Sequence, residues 1–415
     1  MKAWFFTEDA YPYLPEVDSV DSVRVNLPNS VYNPVKGADL YDMYLDMWCA
    51  ADEIGLEIMN NEHHQTPTCC VPAAPIMLGI LAKRTKRARL LILGNPISNR
   101  SQPIRVAEEM AMVDVLSRGR LECGFVRGVP YEAAPANVIP YRGSERLWEA
   151  HDLIMKAWTT HDGPFNFEGE FFHARQVNIW PRPFQQPHPP VWVTIGSGPS
   201  TIPVAKHKHV GAVFLAGYQG IRPIFDAYRE NFLKMHGAHA PLDRLAYCAL
   251  VHVNKDKAEA RKNAELLSWY MTSNKVAPHC TNPPGYFPPQ VAAQVMKGGR
   301  AAGIKAAPGA TVEDHMLRGN FFCGTPDEVY EQIKNFYDYS GGFGHLLMMM
   351  QAGFLSYGET VKNMQTFNDE VYPRLKELTA SYDPEEMKER AARVVPPTGG
   401  GTKDFFGVEF ARKVS

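Results

Sequence analysis

The stretch RARLLILGNPISNRSQPIRVAEEMAMVDVLSRGRLECGFVRGVPY, Arg87 to Tyr131, reads as strand, loop, helix and strand. Arg89 to Leu93 is a short apolar run stopped by Gly94-Asn95-Pro96, turn chemistry at the end of a strand. Pro103 stands where a helix starts, because a first-turn proline has no amide in need of an intrahelical partner. Ile104, Ala107, Ala111, Met112 and Val115 follow at roughly helical spacing, and Ser117-Arg118-Gly119 ends the helix. Leu121 to Val126 is the next strand, with Arg127-Gly128 at its carboxyl end. A guanidinium fork beside a residue without a side chain suits an anion such as a phosphate. The alternative is an arginine that caps a helix or pairs with a carboxylate.

The alternation continues outward on both sides. Ala3 to Thr7 reads as a first strand, followed by a Pro/Asp/Ser-rich loop to about Ala38. A helix from Ala38 ends at Ile54 before Gly55, and a strand from Leu56 to Asn60 leads into Glu62-His63-His64. Pro72 to Lys83 and Glu145 to Thr159 read as helices, and 163–190, rich in proline and aromatics, as an excursion or hairpin. Strand Val191 to Ile195 meets GSGPST (Gly196 to Thr201), with helix continuing from Ile202 to Lys208. Ala212 to Leu215, Ala246 to Val253 and His345 to Met350 are the last strand candidates. Repeated βα units of this kind argue for a parallel sheet. Periodicity alone leaves a closed barrel and an open doubly wound sheet both standing. Residues 272–320 lack a regular apolar period and read as a lid or a surface excursion. Residues 381–415 read as a C-terminal helix with a flexible arm.

Composition narrows the class. The 415 residues carry a net charge of −2, with 45% hydrophobic and 21% charged residues, the balance of an ordinary soluble domain. No global basic field points to nucleic acid or an anionic membrane. The start MKAWFFTEDAYPYLPEVD lacks a long apolar core, and no run of about 20 apolar residues occurs, so a cytoplasmic protein is expected. The seven cysteines form no CxxC pair or other ligand spacing and read as reduced small hydrophobes. No metal site is expected; the pair His63-His64 has no Asp or Cys partner at ligand spacing.

AEEMAMVDVLSRGRLECGFVRG, with WCAADEIGLEIMNNEHH (Trp48 to His64) before it, resembles the bacterial luciferase-like flavin monooxygenases. Those carry a similar AEE-like helix, S-x-GR turn and G-x-x-RG strand end, and the likeness extends to about Gly211. The resemblance implies a (β/α)8 TIM barrel over 1–380, with the insertions at 163–190 and 272–320. Chemistry is then expected at the carboxyl ends of the strands. Arg127, Gly128, the Gly198 backbone, Ser200 and Thr201 would hold the phosphate of FMN; the plain alternative for Ser200 and Thr201 is helix capping. Gly94 and Asn95 would lie under the flavin ring, with a non-proline cis peptide; the alternative is an ordinary turn. His63 is the implied catalytic histidine, since neighbouring side chains at a strand end alternate and only one of the pair faces the axis.

The implied activity is a monooxygenase using FMNH2 and O2 through a flavin C4a-(hydro)peroxide on a small organic substrate. A separate reductase would supply the flavin, because no GxGxxG follows a strand. Two other readings stand beside it: a deazaflavin (F420)-dependent dehydrogenase and a non-catalytic flavin-binding protein. Relatives pair through the helices after the second and third strands, so a homodimer or higher even oligomer is expected.

Overall fold

The computed structural model describes residues 1–273, Val276, Pro289 and 310–397. The first four strands are β1 (Lys2–Thr7), β2 (Glu57–Asn60), β3 (Leu90–Asn95) and β4 (Leu121–Phe125). A two-stranded hairpin, β5 (Phe165–Glu168) with β6 (His173–Val177), fills the Pro/aromatic excursion. Next come β7 (Val191–Thr194), β8 (Val210–Phe214), β9 (Leu245–Val253), β10 (Phe321–Gly324) and β11 (His345–Gln351). The parallel order β1-β2-β3-β4-β7-β8-β9-β11 returns to β1, so eight strands close a barrel. Closure resolves the choice that periodicity left open. The short β10 has no counterpart in the sequence reading. It pairs with Leu250 to Val253 of β9, continuing the edge that β8 leaves at Cys248.

Local chemistry explains the helices that set the strand ends. In α1 (Pro34–Ile54) the side chain of Asn33 accepts from the amides of Val35 and Lys36, and Pro34 occupies the first turn. The start thus lies four residues before the expected Ala38. The helices α2 (Ala74–Arg84) and α3 (Pro103–Ser117) follow, with a single turn α4 (Pro130–Ala133) and then α5 (Gly143–Thr159). Helix α6 (Gly198–Lys206) begins inside GSGPST, four residues earlier than Ile202. After it come α7 (Gly217–His236), α8 (Lys257–Ser273), α9 (Val312–Arg318) and α10 (Pro326–Ser340). The chain closes with α11 (Tyr357–Thr366), α12 (Tyr372–Ala380) and α13 (Pro384–Arg393). The expected C-terminal helix is α13, and Arg390 pairs it to Asp338 of α10. Most of the expected lid and the terminal arm lie outside the described residues.

Strand alternation splits the core in two. Ala3, Phe5, Ile58, Leu90 and Ile92 face the helices, whereas Trp4, Phe6, Met59, Leu91 and Leu93 fill the interior. The floor of the barrel is aromatic. Trp4 and Trp192 meet edge to face at 5.4 Å, and Trp4 Nε1 donates to His345 Nδ1 at 3.1 Å. His345 Nε2 donates in turn to the Asp243 carbonyl at 3.1 Å. Burial pushes His345 down to about 3, which keeps the ring neutral and both its bonds intact. Trp192 Nε1 donates to Glu122 Oε2 at 2.6 Å, so this buried layer satisfies its polar atoms as it packs.

Candidate active site

The carboxyl ends of β1, β2 and β4 meet at one cluster of charge. Past β2, His63 places Nδ1 2.8 Å from Glu132 Oε1, and its Nε2 lies 3.7 Å from Glu8 Oε1 beyond β1. Glu132 belongs to α4, the single turn that follows Arg127-Gly128, so the end of β4 folds back over β2. Its Oε1 also accepts the His64 amide at 3.0 Å. Glu8 is held from the far side by the Tyr270 hydroxyl at 3.2 Å and by Arg24 Nη1 at 3.6 Å. Arg24 Nε donates to the Tyr131 hydroxyl at 2.8 Å. Glu8, Arg24 and Glu132 are almost wholly buried, while His63 keeps 18% of its side chain exposed. The imidazole is thus the member of the group that solvent or a small molecule reaches.

Electrostatics favours a proton on that ring. Burial alone would push His63 down, but the Glu132 carboxylate, bonded to it, and then Glu8 outweigh this and raise its pKa. Burial likewise works to raise Glu132, and His63 with the His64 amide outweighs it and lowers the carboxyl. The directions agree on an imidazolium–carboxylate pair. The pair therefore biases the ring towards donating a proton.

His64 goes elsewhere. Its Nε2 is 3.0 Å from Glu62 Oε1, which also pairs with Arg100, and Glu62 Oε2 accepts the Ala74 amide at 3.2 Å. This arrangement ties the strand end to α2 and to the segment after β3. The paired histidines thus part, one into the buried cluster and one onto a structural carboxylate.

Asn95 ends β3 fully buried, with neither side-chain amide atom bonded to another described residue. A buried amide left without partners costs about 1–3 kcal/mol, so the position calls for a polar partner. Gly94 has a simpler reason to lack a side chain: an added Cβ would stand 2.2 Å from a Val126 methyl. The cis peptides among the described residues are Trp180–Pro181 and Gln186–Pro187, so the non-proline cis bond expected beside Gly94 is not present.

At the end of β4, Arg127 is exposed, with its aliphatic stem against Gly143, and the Ser98 hydroxyl donates to its carbonyl. Gly128 turns at φ 79°, the left-handed region, and a Cβ there would meet Asn99 at 2.7 Å. The neighbouring strand β7 ends in the GSGPST loop, and Phe125 pairs with Val193 across these strands. Arg127 and the loop therefore open side by side. The Ser200 hydroxyl accepts from the Gly196 and Ser197 amides at 3.2 and 3.1 Å and donates to the Ser197 carbonyl at 2.7 Å. Thr201 is buried, donates to the Gly198 carbonyl at 2.6 Å and accepts from Asn231 at 3.0 Å. The Ser200 hydroxyl thus caps loop amides, and the Thr201 hydroxyl ties the first turn of α6 to Asn231 on α7. What the loop leaves open is space: among the described residues, a Cβ at Gly196 would meet nothing within 4 Å, and one at Gly198 only the Ala227 methyl at 3.8 Å.

Sequence reasoning missed Glu8, Arg24, Glu132, Tyr131 and Tyr270. Only Glu8, an acid straight after an apolar strand, carried a usable signal. The others arrive from 68 or more residues away or sit in unpatterned loop.

A closed parallel barrel with a buried carboxylate–imidazole cluster at the strand ends defines an enzyme-like mouth, and the comparisons supply the lineage. The model of the luciferase-like monooxygenases matches residues 32–342, and the chain belongs to that family. Over 158 residues it is 33% identical to the oxygenase component of a flavin-dependent trigonelline monooxygenase from Acinetobacter baylyi. That match covers 37% of this chain and 43% of the relative, so it spans less than half the relative's length. An F420-dependent glucose-6-phosphate dehydrogenase from Amycolatopsis mediterranei is 25% identical over 346 residues, 79% of this chain and 92% of its own. The FMN complex of the oxygenating constituent of 3,6-diketocamphane monooxygenase from Pseudomonas putida superposes with a TM-score of 0.67 at 18% identity. It covers 90% of this chain and 98% of that one, and at this identity the likeness concerns the fold alone.

Proposed function

We propose that the chain is a monooxygenase that takes reduced FMN from a separate reductase and uses O2 to oxygenate a small organic substrate. The observation that carries this reading is the His63–Glu132–Glu8 cluster at the mouth, poised to handle protons. The family membership and the flavin-dependent relative support it. The residues present fit a flavin. Arg127 and the amides around Gly196 and Gly198, with open space before them, would hold the phosphate. The unpartnered Asn95 amide would meet the polar edge of the ring. Reduced FMN, when bound, supplies the electrons that activate O2.

The chain's own part is binding, exclusion of water and proton management. Glu132 fixes the orientation of the ring through Nδ1, and Nε2 is the atom from which a proton moves to the reacting oxygen. Glu8, braced by Arg24 and Tyr270, lies beyond direct hydrogen-bond length from Nε2 and stabilises the charged ring through space.

A second reading, an F420-dependent dehydrogenase, has one observation in its favour: the F420-dependent relative matches over most of both chains. Anaerobic titration separates the two. Tight binding of reduced FMN, followed on mixing with air by oxygenated product from a suitable substrate, is the expected result. Preference for F420 with substrate oxidation in the absence of oxygen would replace the first reading by the second.

A further inference from the structure

The amino ends of the strands carry a second cluster of chemistry-bearing side chains. His151 lies on α5, His207 caps the carboxyl end of α6, and His209 stands one residue before β8. Their ring nitrogens all fall within 4.8 Å of one another, and His151 Nε2 is 2.8 Å from His209 Nε2. We propose that these three imidazoles form a binding site for a divalent first-row transition metal, zinc the best fit, remote from the catalytic mouth.

Several features of the cluster point to a ligand. His151 Nδ1 is 2.9 Å from Asp152 Oδ1, so the carboxylate accepts from Nδ1–H and leaves the Nε2 lone pair directed at the cluster. A carboxylate behind a histidine in this way fixes the tautomer of metal-bound histidines and raises their basicity. His209 is anchored through its backbone, since the Tyr228 hydroxyl donates to its carbonyl at 2.7 Å. Trp148 stacks on His207 at 5.7 Å with planes 11° apart, orienting that ring too. His151 and His209 are buried, while His207 is exposed, which provides an entry path and a fourth, open position.

Three imidazoles without a thiolate favour zinc, copper or nickel over the oxygen-seeking magnesium and calcium. With bonds of about 2.0–2.1 Å, tetrahedral donors stand roughly 3.4 Å apart. Binding therefore requires His151 and His209 to part by about half an ångström, and exposed His207 to swing in. The competing arrangement is a plain N–H···N hydrogen bond between the two buried rings with His207 packed beside them.

The test uses the full-length chain freed of any affinity tag and stripped with a chelator. Cobalt(II) alone is titrated in, followed by zinc. One equivalent of cobalt with the visible band of a four-coordinate ion, displaced by one equivalent of zinc, is expected. His207→Ala, at an exposed position that leaves the core untouched, should weaken both metals at least about tenfold, and Asp152→Asn about 10–100-fold. A rise in the melting temperature on adding zinc should vanish in the same variants. No saturable binding by the parent chain, or equal affinity in the parent, His207→Ala and His209→Gln, would leave only the hydrogen-bonded pair and overturn the proposal.

Discussion

Exchanging His63 for asparagine keeps a hydrogen-bonding side chain and removes a proton site. His63→Asn should bind FMN almost normally and lose about 10²–10⁴-fold in turnover, with hydrogen peroxide appearing in place of oxygenated product. His64→Asn, which disturbs only the Glu62 anchor, should chiefly lower thermal stability; the reverse pattern would exchange the two roles. Glu132→Gln removes the group that raises His63, so the pH limb assigned to that ring should move to lower pH. The same pair makes a stability prediction whose sign follows from the shifts. A raised histidine contributes fully below its ordinary 6.5 and loses the contribution as pH climbs through its folded value. A lowered glutamate contributes above its ordinary 4.5 and loses it as pH falls through its folded value. The melting-temperature gap between the parent and Glu132→Gln should thus be widest between these values, and a gap independent of pH would refute the ion pair. Arg127→Ala should weaken FMN roughly ten- to a hundredfold while riboflavin, which lacks the phosphate, changes little. Equal losses for the two ligands would make Arg127 structural.

Among elements, the loop after β7 and the strand β4 offer a matched pair of glycines. A Cβ at Gly196 meets no described residue and the φ is ordinary, so Gly196→Ala should leave the melting temperature nearly unchanged and cost affinity for FMN. Gly124 lies in β4 with the Ile92 carbonyl 2.4 Å from its virtual Cβ, so Gly124→Ala must push two strands apart. A loss of about 1–3 kcal/mol is expected there by denaturant titration. Unaltered FMN binding in Gly196→Ala would remove the loop from the phosphate site. These elements also mark how far the sequence could be read. Strand ends announced themselves where an apolar run met turn residues, as at Leu93-Gly94-Asn95 and at Val126-Arg127-Gly128. β10 did not, since Phe321–Gly324 is too short for a period and pairs only along the far half of β9. The cluster around His63 was half legible. Its histidine follows a readable strand, but Tyr270 reaches Glu8 across 262 positions and Glu132 reaches His63 across 69. Only tertiary closure brings such partners together, and local spacing carries no trace of it. The trio His151, His207 and His209 escaped for the same reason, with His151 meeting His209 across 58 positions.

On the scale of the whole molecule, the outer faces of α2 and α3 carry exposed apolar side chains. Ile76 and Met112 are 66% and 55% exposed, with Ile80 and Val115 beside them. Apolar side chains gathered on two neighbouring helices are what a second subunit would cover. Light scattering should therefore find a dimer or a higher even assembly, and Ile76→Asp combined with Met112→Asp should shift it towards monomer; a parent chain that is monomeric at micromolar concentration would defeat this. The aromatic floor has a consequence of its own for traffic. With Trp4, Trp192 and His345 sealing one end, the barrel is a dead-end street. Whatever is admitted at the strand ends must leave by the doorway it came through. A spent molecule therefore delays the next arrival, and departure is a step that competes with chemistry for the pace of each cycle.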